Sequence, residues 1–231
     1  MRLSVSKLIT KNFYYLCPYD MIRKPLLYIG VWLALFAGCR PAENLRTGDL
    51  LFQVGSESAM SGAIAAATGR DGALPFTHVG IAVCRPGADS VLEATSPGGV
   101  RMTALDDFLG KSARIEGRPL VVAMRLKDTS GIAAAVARAR SFRGVPYDYA
   151  FRPDNGKMYC SELVWESYRR PDGRPIFPAR PMNFRAADGS MPAFWSELFD
   201  RLGEPIPEGL PGTNPADMAR DKALTEIRRW F

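Results

Sequence analysis

The chain has 231 residues, 47% hydrophobic and 23% charged, an ordinary globular composition with enough length to bury a full core. Its net charge of +6 is uneven: Arg2, Lys7, Lys11, Arg23 and Lys24 stand against Asp20 alone in residues 1–39, which leaves 25 basic and 23 acidic groups, a net +2, in the rest. That near balance removes charge as an argument for nucleic-acid binding. The four cysteines (Cys17, Cys39, Cys84, Cys160) show no CxxC spacing and have one histidine beside them, which argues against a zinc site.

The first recognisable element is a targeting segment. From Met21 the chain reads MIRKPLLYIGVWLALFAGC, with Arg23 and Lys24 as a charged region and Leu26 to Ala37 as an apolar region. Ala37-Gly38 then supplies small residues before Cys39. The apolar stretch is short for a spanning helix, which needs ~20 residues. The segment resembles a bacterial lipoprotein signal peptide, which implies lipidation of Cys39, a membrane anchor there and a place in the cell envelope. Residues 1–39 are expected to have no part in the fold.

Leu50 to Val54 reads as a strand after the turn Thr47-Gly48-Asp49, and the alanine-rich Ser56 to Thr68 as a helix. Val79 to Cys84 is an apolar, β-branched run, which makes Cys84 a core residue. Arg85-Pro86-Gly87-Ala88-Asp89 is a turn, so residues 78–95 form a hairpin with Val91 to Ala94. Val100 to Thr103 is a third strand, Leu105 to Leu109 a short helix and Leu120 to Leu126 another strand. Thr129 to Phe142 reads as a helix capped by Thr129 or Ser130, with Ile132, Val136 and Ala139 on one face. Beyond Arg169 the chain is proline-rich. Phe194 to Leu202 reads as a helix with Trp195 and Phe199 inward, and Asn214-Pro215 as a helix cap, with Leu224, Ile227 and Trp230 as a closing face. The organisation expected is a signal segment over 1–39, a domain over 40–170 and a C-terminal extension over 171–231 packed on that domain.

The chemistry concentrates in GVPYDYAFRPDNGKMYCSELVW, Gly144 to Trp165. Cys160 stands directly ahead of a helical apolar run (Leu163, Val164, Tyr168), where the helix dipole and free N–H groups favour the reactive thiolate. The chain's single histidine, His78, opens a strand and is the base available to it. Glu93 lies on the partner strand of the hairpin. A symmetric turn at Gly87 pairs Glu93 with Ile81, so a bulge or shifted register is needed to bring it to His78, and Asp106 or Asp107 are the fallback.

GDLLF, THVGIAV, VLEA, GVPYDYAF and YCSELVW, in that order, resemble the YiiX/YebB-like hydrolases, permuted members of the NlpC-type papain-like superfamily. The resemblance covers roughly Leu45 to Tyr168, and GLPGTNPADM near the C-terminus is also similar. It implies an α+β fold, circularly permuted, with an antiparallel sheet packed against helices. It implies Cys160 as nucleophile, His78 as general base, Glu93 as the ring-orienting residue and Tyr147 in substrate binding. No metal or organic cofactor is implied. The activity expected is amide hydrolysis, with envelope peptides as natural substrates. An acyltransferase or lipid-amide hydrolase, and a non-catalytic envelope-binding module, are the alternatives.

Overall fold

A computed structural model describes residues 44–70 and 72–231. Residues 1–39, and with them the expected lipidation site Cys39, lie outside the described residues. The described residues belong to one compact unit. Among the described residues no helix is long and apolar enough to cross a membrane.

The elements follow in chain order: strand β1 (Leu50–Gln53), helix α1 (Ala59–Thr68), strands β2 (His78–Val83), β3 (Ser90–Thr95) and β4 (Gly99–Ala104), then helix α2 (Leu105–Gly110). Short strands β5 (Arg114–Ile115) and β6 (Arg118–Pro119) precede β7 (Val121–Leu126), helix α3 (Ile132–Ser141) and helix α4 (Cys160–Ser167). The C-terminal part holds strand β8 (Arg180–Pro181), helix α5 (Ala193–Leu202), strand β9 (Pro211–Gly212), helix α6 (Pro215–Ala219) and strand β10 (Leu224–Arg229). The main sheet runs β10-β7-β1-β2-β3-β4, and every pair in it is antiparallel.

The sheet is apolar on both faces because strand side chains alternate. Leu50, Phe52, Val79, Ile81 and Leu92 point into the larger core, where α3 and α4 bring Val136, Ala139, Leu163 and Val164. Leu51, Ala82, Val91, Val121 and Ala123 point the other way, onto Phe108 of α2. Helix α4 packs across β2 and β3 and against α3, which carries its N-terminal end to the start of β2.

Two expectations are corrected. Helix α3 begins at Ile132 with Gly131 as N-cap and no side-chain cap. The Ser130 N–H is taken by Asp128 Oδ1 at 3.0 Å, a local turn that competes with helix initiation. Leu224 and Ile227 do not share a face, because the segment is strand β10 at the sheet edge; they enter opposite cores. The helical spacing misleads there, and a bulge between Glu226 and Arg228 further breaks the strand's alternation.

Candidate active site

Cys160 is the first residue of α4, and its N-cap Tyr159 is extended at φ −95° and ψ 170°. The helix starts there because Glu162 reaches back to accept the Tyr159 N–H at 3.3 Å. Ser161 Oγ donates to the Thr213 carbonyl at 3.0 Å, tying the helix start to the C-terminal part. Burial raises the Glu162 carboxyl to about 8, against the opposing Tyr159 hydrogen bond and with help from nearby Asp148 and Glu166.

His78 opens β2 and is 16% exposed at its side chain. Its Nε2 lies 2.6 Å from Glu93 Oε2, which leaves Nδ1 as the nitrogen that can serve Cys160. The other Glu93 oxygen accepts Thr103 Oγ1 at 2.6 Å, with Lys111 Nζ 3.8 Å away. The ring is backed by Phe108, 5.7 Å between centroids. Gln53, paired opposite His78 on β1, donates its side-chain amide to the Phe108 carbonyl at 2.7 Å and so pins α2 beneath the ring.

Burial opposes a charged imidazole, but the hydrogen bonds to Cys160 and Glu93 outweigh it and raise His78 to about 10. Burial also opposes the Glu93 carboxylate, yet His78, Thr103 and Lys111 together lower it to about 2. At neutral pH the site therefore holds an imidazolium between a sulfur and a carboxylate.

The hairpin register differs by one residue from the symmetric reading. Ile81 pairs with Leu92, not with Glu93. Continuing that register sets Glu93 opposite Gly80, on the same face as His78 two residues away. No bulge is needed, because the residue between the two has no side chain. A Cβ on Gly80 would stand 2.4 Å from Val91 Cγ1 and 3.5 Å from the Glu93 Cβ. Asp106 and Asp107 are both exposed and take no part.

Tyr147 is buried beside the cysteine helix and stacks edge-on to Tyr149 at 5.0 Å. Burial first, then the charge of Cys160, raise its hydroxyl well above the usual tyrosine range, so it stays a donor. Its loop is docked by Gly99, at φ +68°, where a Cβ would fall 2.1 Å from the Val145 carbonyl oxygen. Tyr147 and Cys160 both line a cleft of about 940 Å³, counting its open mouth. Cys84 and Cys160 are both free thiols, and Cys84 is half-buried at the end of the hairpin strand.

Thr103, Gln53 and Gly80 escape a reading of the sequence. Thr103 and Gln53 acquire their roles through strand pairing, which has no local signature. A lone glycine in an apolar strand is itself a sign of close approach, and Gly80 could have been found that way.

The sheet, the crossing helix and the chain order, with the histidine strand ahead of the cysteine helix, define a papain-like enzyme in permuted form. Residues 44–228 match the family described as permuted papain-like amidase enzymes, YaeF/YiiX, C92 family, and the chain belongs to that family. It is 30% identical over 164 residues to the uncharacterized protein YiiX of Escherichia coli K12, spanning 70% of this chain and 75% of that protein. The crystal structure of the metalloprotein YiiX from Escherichia coli O157:H7 is similar to it with a TM-score of 0.64 and 28% identity, covering 80% of this chain and 97% of that one. The fold is α+β and the chain is a cysteine hydrolase of the amidase class.

The described residues do not fit a metal ion. The single histidine commits its Nε2 to Glu93. Among the described residues no group of three or more His, Cys, Asp or Glu side chains could hold one.

Proposed function

We propose that this protein cleaves an amide bond through a Cys160–His78–Glu93 triad and a thioester on Cys160. The observation that carries this is His78, whose Nε2 lies 2.6 Å from a carboxylate that is 1% exposed at its side chain and whose pKa is raised by its proximity to Cys160 as well as to Glu93. The thiolate attacks the amide carbonyl, and the oxyanion is met by the Cys160 N–H, which as a first-turn group has no intrahelical partner, and by the Tyr147 hydroxyl. His78 donates its proton to the departing nitrogen, the C–N bond breaks and the amine leaves. Neutral His78 then takes a proton from water, whose oxygen attacks the thioester. The acid leaves, and the thiolate–imidazolium pair is restored. Glu93 holds the ring and balances its charge without taking the proton.

The lipoprotein-like segment ending at Cys39 supports a lipid-anchored enzyme facing envelope substrates. Nothing in the charge balance favours nucleic acid as a partner.

The test is mass spectrometry of the protein after incubation with an envelope extract, beside a Cys160→Ala variant. An acyl adduct on Cys160 that is absent from the variant is expected. An intact free thiol in an unchanged extract would replace the enzyme with a binding module.

A further inference from the structure

Resting on the amidase reading above, we propose that the backbone of Thr213 is a positioning clamp on the nucleophile: it fixes the residues on both sides of Cys160, so that the Cys160 N–H is aimed at the oxyanion. Thr213 belongs to the segment GLPGTNPADM, Gly209 to Met218, in the C-terminal extension. Two observations carry this.

The first is a double tie. The Thr213 carbonyl accepts the Ser161 hydroxyl at 3.0 Å, and the Thr213 N–H donates to the Tyr159 hydroxyl at 3.3 Å. One residue, 52 and 54 positions away along the chain, thus holds both neighbours of Cys160. Both neighbours are buried, Ser161 at 1% and Tyr159 at 6% exposed. Tyr159 is the N-cap, and the peptide that joins it to Cys160 carries the Cys160 N–H. As a first-turn group, that N–H has no carbonyl within the helix to aim it. Its direction follows from where Tyr159 and Ser161 are held. The Tyr159 N–H is bound by Glu162, and its ring rests on Phe151, 5.4 Å between centroids. With Thr213 on its hydroxyl, Tyr159 is fixed at backbone, ring and tip.

The second is the framing of Thr213 itself. Gly212, just before it, pairs with Arg180 across β8 and β9. Asn214, just after it, caps α6 by accepting the Asp217 N–H at 2.8 Å, and Pro215 follows in the first turn. Thr213 is therefore placed by a strand pair and a helix cap, independently of its bonds to α4. At Gly212 a Cβ would stand 2.4 Å from Met182 Sδ and 3.1 Å from Tyr159 Oη. The missing side chain leaves room for the Tyr159 hydroxyl beside the Thr213 N–H.

The test rests on the fact that an oxyanion donor matters only where a carbonyl is attacked. With 4-nitrophenyl acetate the sulfur adds to the carbonyl carbon, the carbonyl oxygen becomes the oxyanion, the C–O bond breaks and 4-nitrophenolate leaves. With iodoacetamide the sulfur displaces iodide from carbon and no oxyanion forms. The full chain, Ser161→Ala, Tyr159→Phe and the double variant are treated with each reagent. The label on Cys160 is read by peptide mass spectrometry, because Cys84 is also a free thiol. Both substitutions delete atoms and add none, so neither overpacks the helix start. Each single variant should slow acylation about tenfold and the double on the order of 10²-fold, with alkylation at the wild-type rate. A lowered urea midpoint with the acylation-to-alkylation ratio unchanged overturns the clamp and leaves the amidase reading standing. A parallel loss of both rates also overturns it, since the tie would then act on the sulfur and not on the N–H. A wild-type Cys160 that is alkylated but takes no acyl group from the ester overturns the amidase reading and the clamp together.

Discussion

At His78 the decisive quantity is the balance between burial and partners. Burial alone would leave a neutral ring, and two hydrogen bonds reverse it. Glu93 supplies one of them and is itself kept charged, against burial, by His78 first and then by Thr103 and Lys111. Replacing Glu93 by Gln keeps the size and removes the charge. The His78 pKa should fall from about 10 toward its ordinary value, so the alkaline limb of the kcat/KM profile should move to lower pH. The rate itself should drop by a factor on the order of 10²–10⁴. A pH–rate profile of Glu93→Gln that kept the wild-type alkaline limb would remove Glu93 from the triad. Cys160, His78 and Glu93 are legible in the sequence as candidates, since each stands in an ordered motif and the histidine is unique. The line joining them is not, because it depends on a one-residue register and on the missing side chain of Gly80.

At the scale of elements, the site needs the start of β2 held against the start of α4. The frame for this begins at β1, the central strand between β7 and β2. Asp49, just ahead of β1, is 1% exposed and receives a two-pronged bond from Arg125 of β7: Nε to Oδ1 at 2.8 Å and Nη2 to Oδ2 at 2.9 Å. Asp49 Oδ2 also accepts the Arg46 N–H at 2.6 Å. Removing one partner of a buried pair leaves the other charge uncompensated. Asp49→Ala should therefore cost about 3–5 kcal/mol, seen as a lowered urea midpoint. A midpoint within experimental error of wild type would show that the pair does not hold β1 to β7. Strands and helices themselves were mostly readable from periodicity. The exceptions fall where local and long-range terms compete, as at Asp128 before α3 and along β10.

For the whole molecule, three buried groups set the response to pH. Glu93 is lowered from 4.5 to about 2, so its contribution is complete above 4.5 and is lost as pH falls through 2. Glu162 is raised from 4.5 to about 8, so the folded state holds a proton the unfolded chain has released, and stability declines as pH climbs from 4.5 to 8. His78 is raised from 6.5 to about 10; its contribution is complete below 6.5 and is lost as pH rises through 10. Together they place the stability maximum near pH 4.5, with the steepest alkaline loss between 6.5 and 8. Thermal unfolding across pH 3–10 should show this profile, and Glu162→Gln should flatten the limb between 4.5 and 8. An unflattened limb in that variant would mean Glu162 is charged in the folded protein at neutral pH.

The sequence by itself determined the class of protein, the order of its motifs and the residue types proposed for the chemistry. Those signals are local: a cysteine before a helical run, a histidine opening a strand, an acid on the next strand. Only the tertiary structure decided which nitrogen of His78 meets Glu93, that Thr103 and Gln53 support the site, and that the C-terminal part walls the cleft beside Cys160. Strand register and cleft composition arise from pairings between residues far apart in the chain. Their energies come from complementary shape and burial, which no short window of sequence contains.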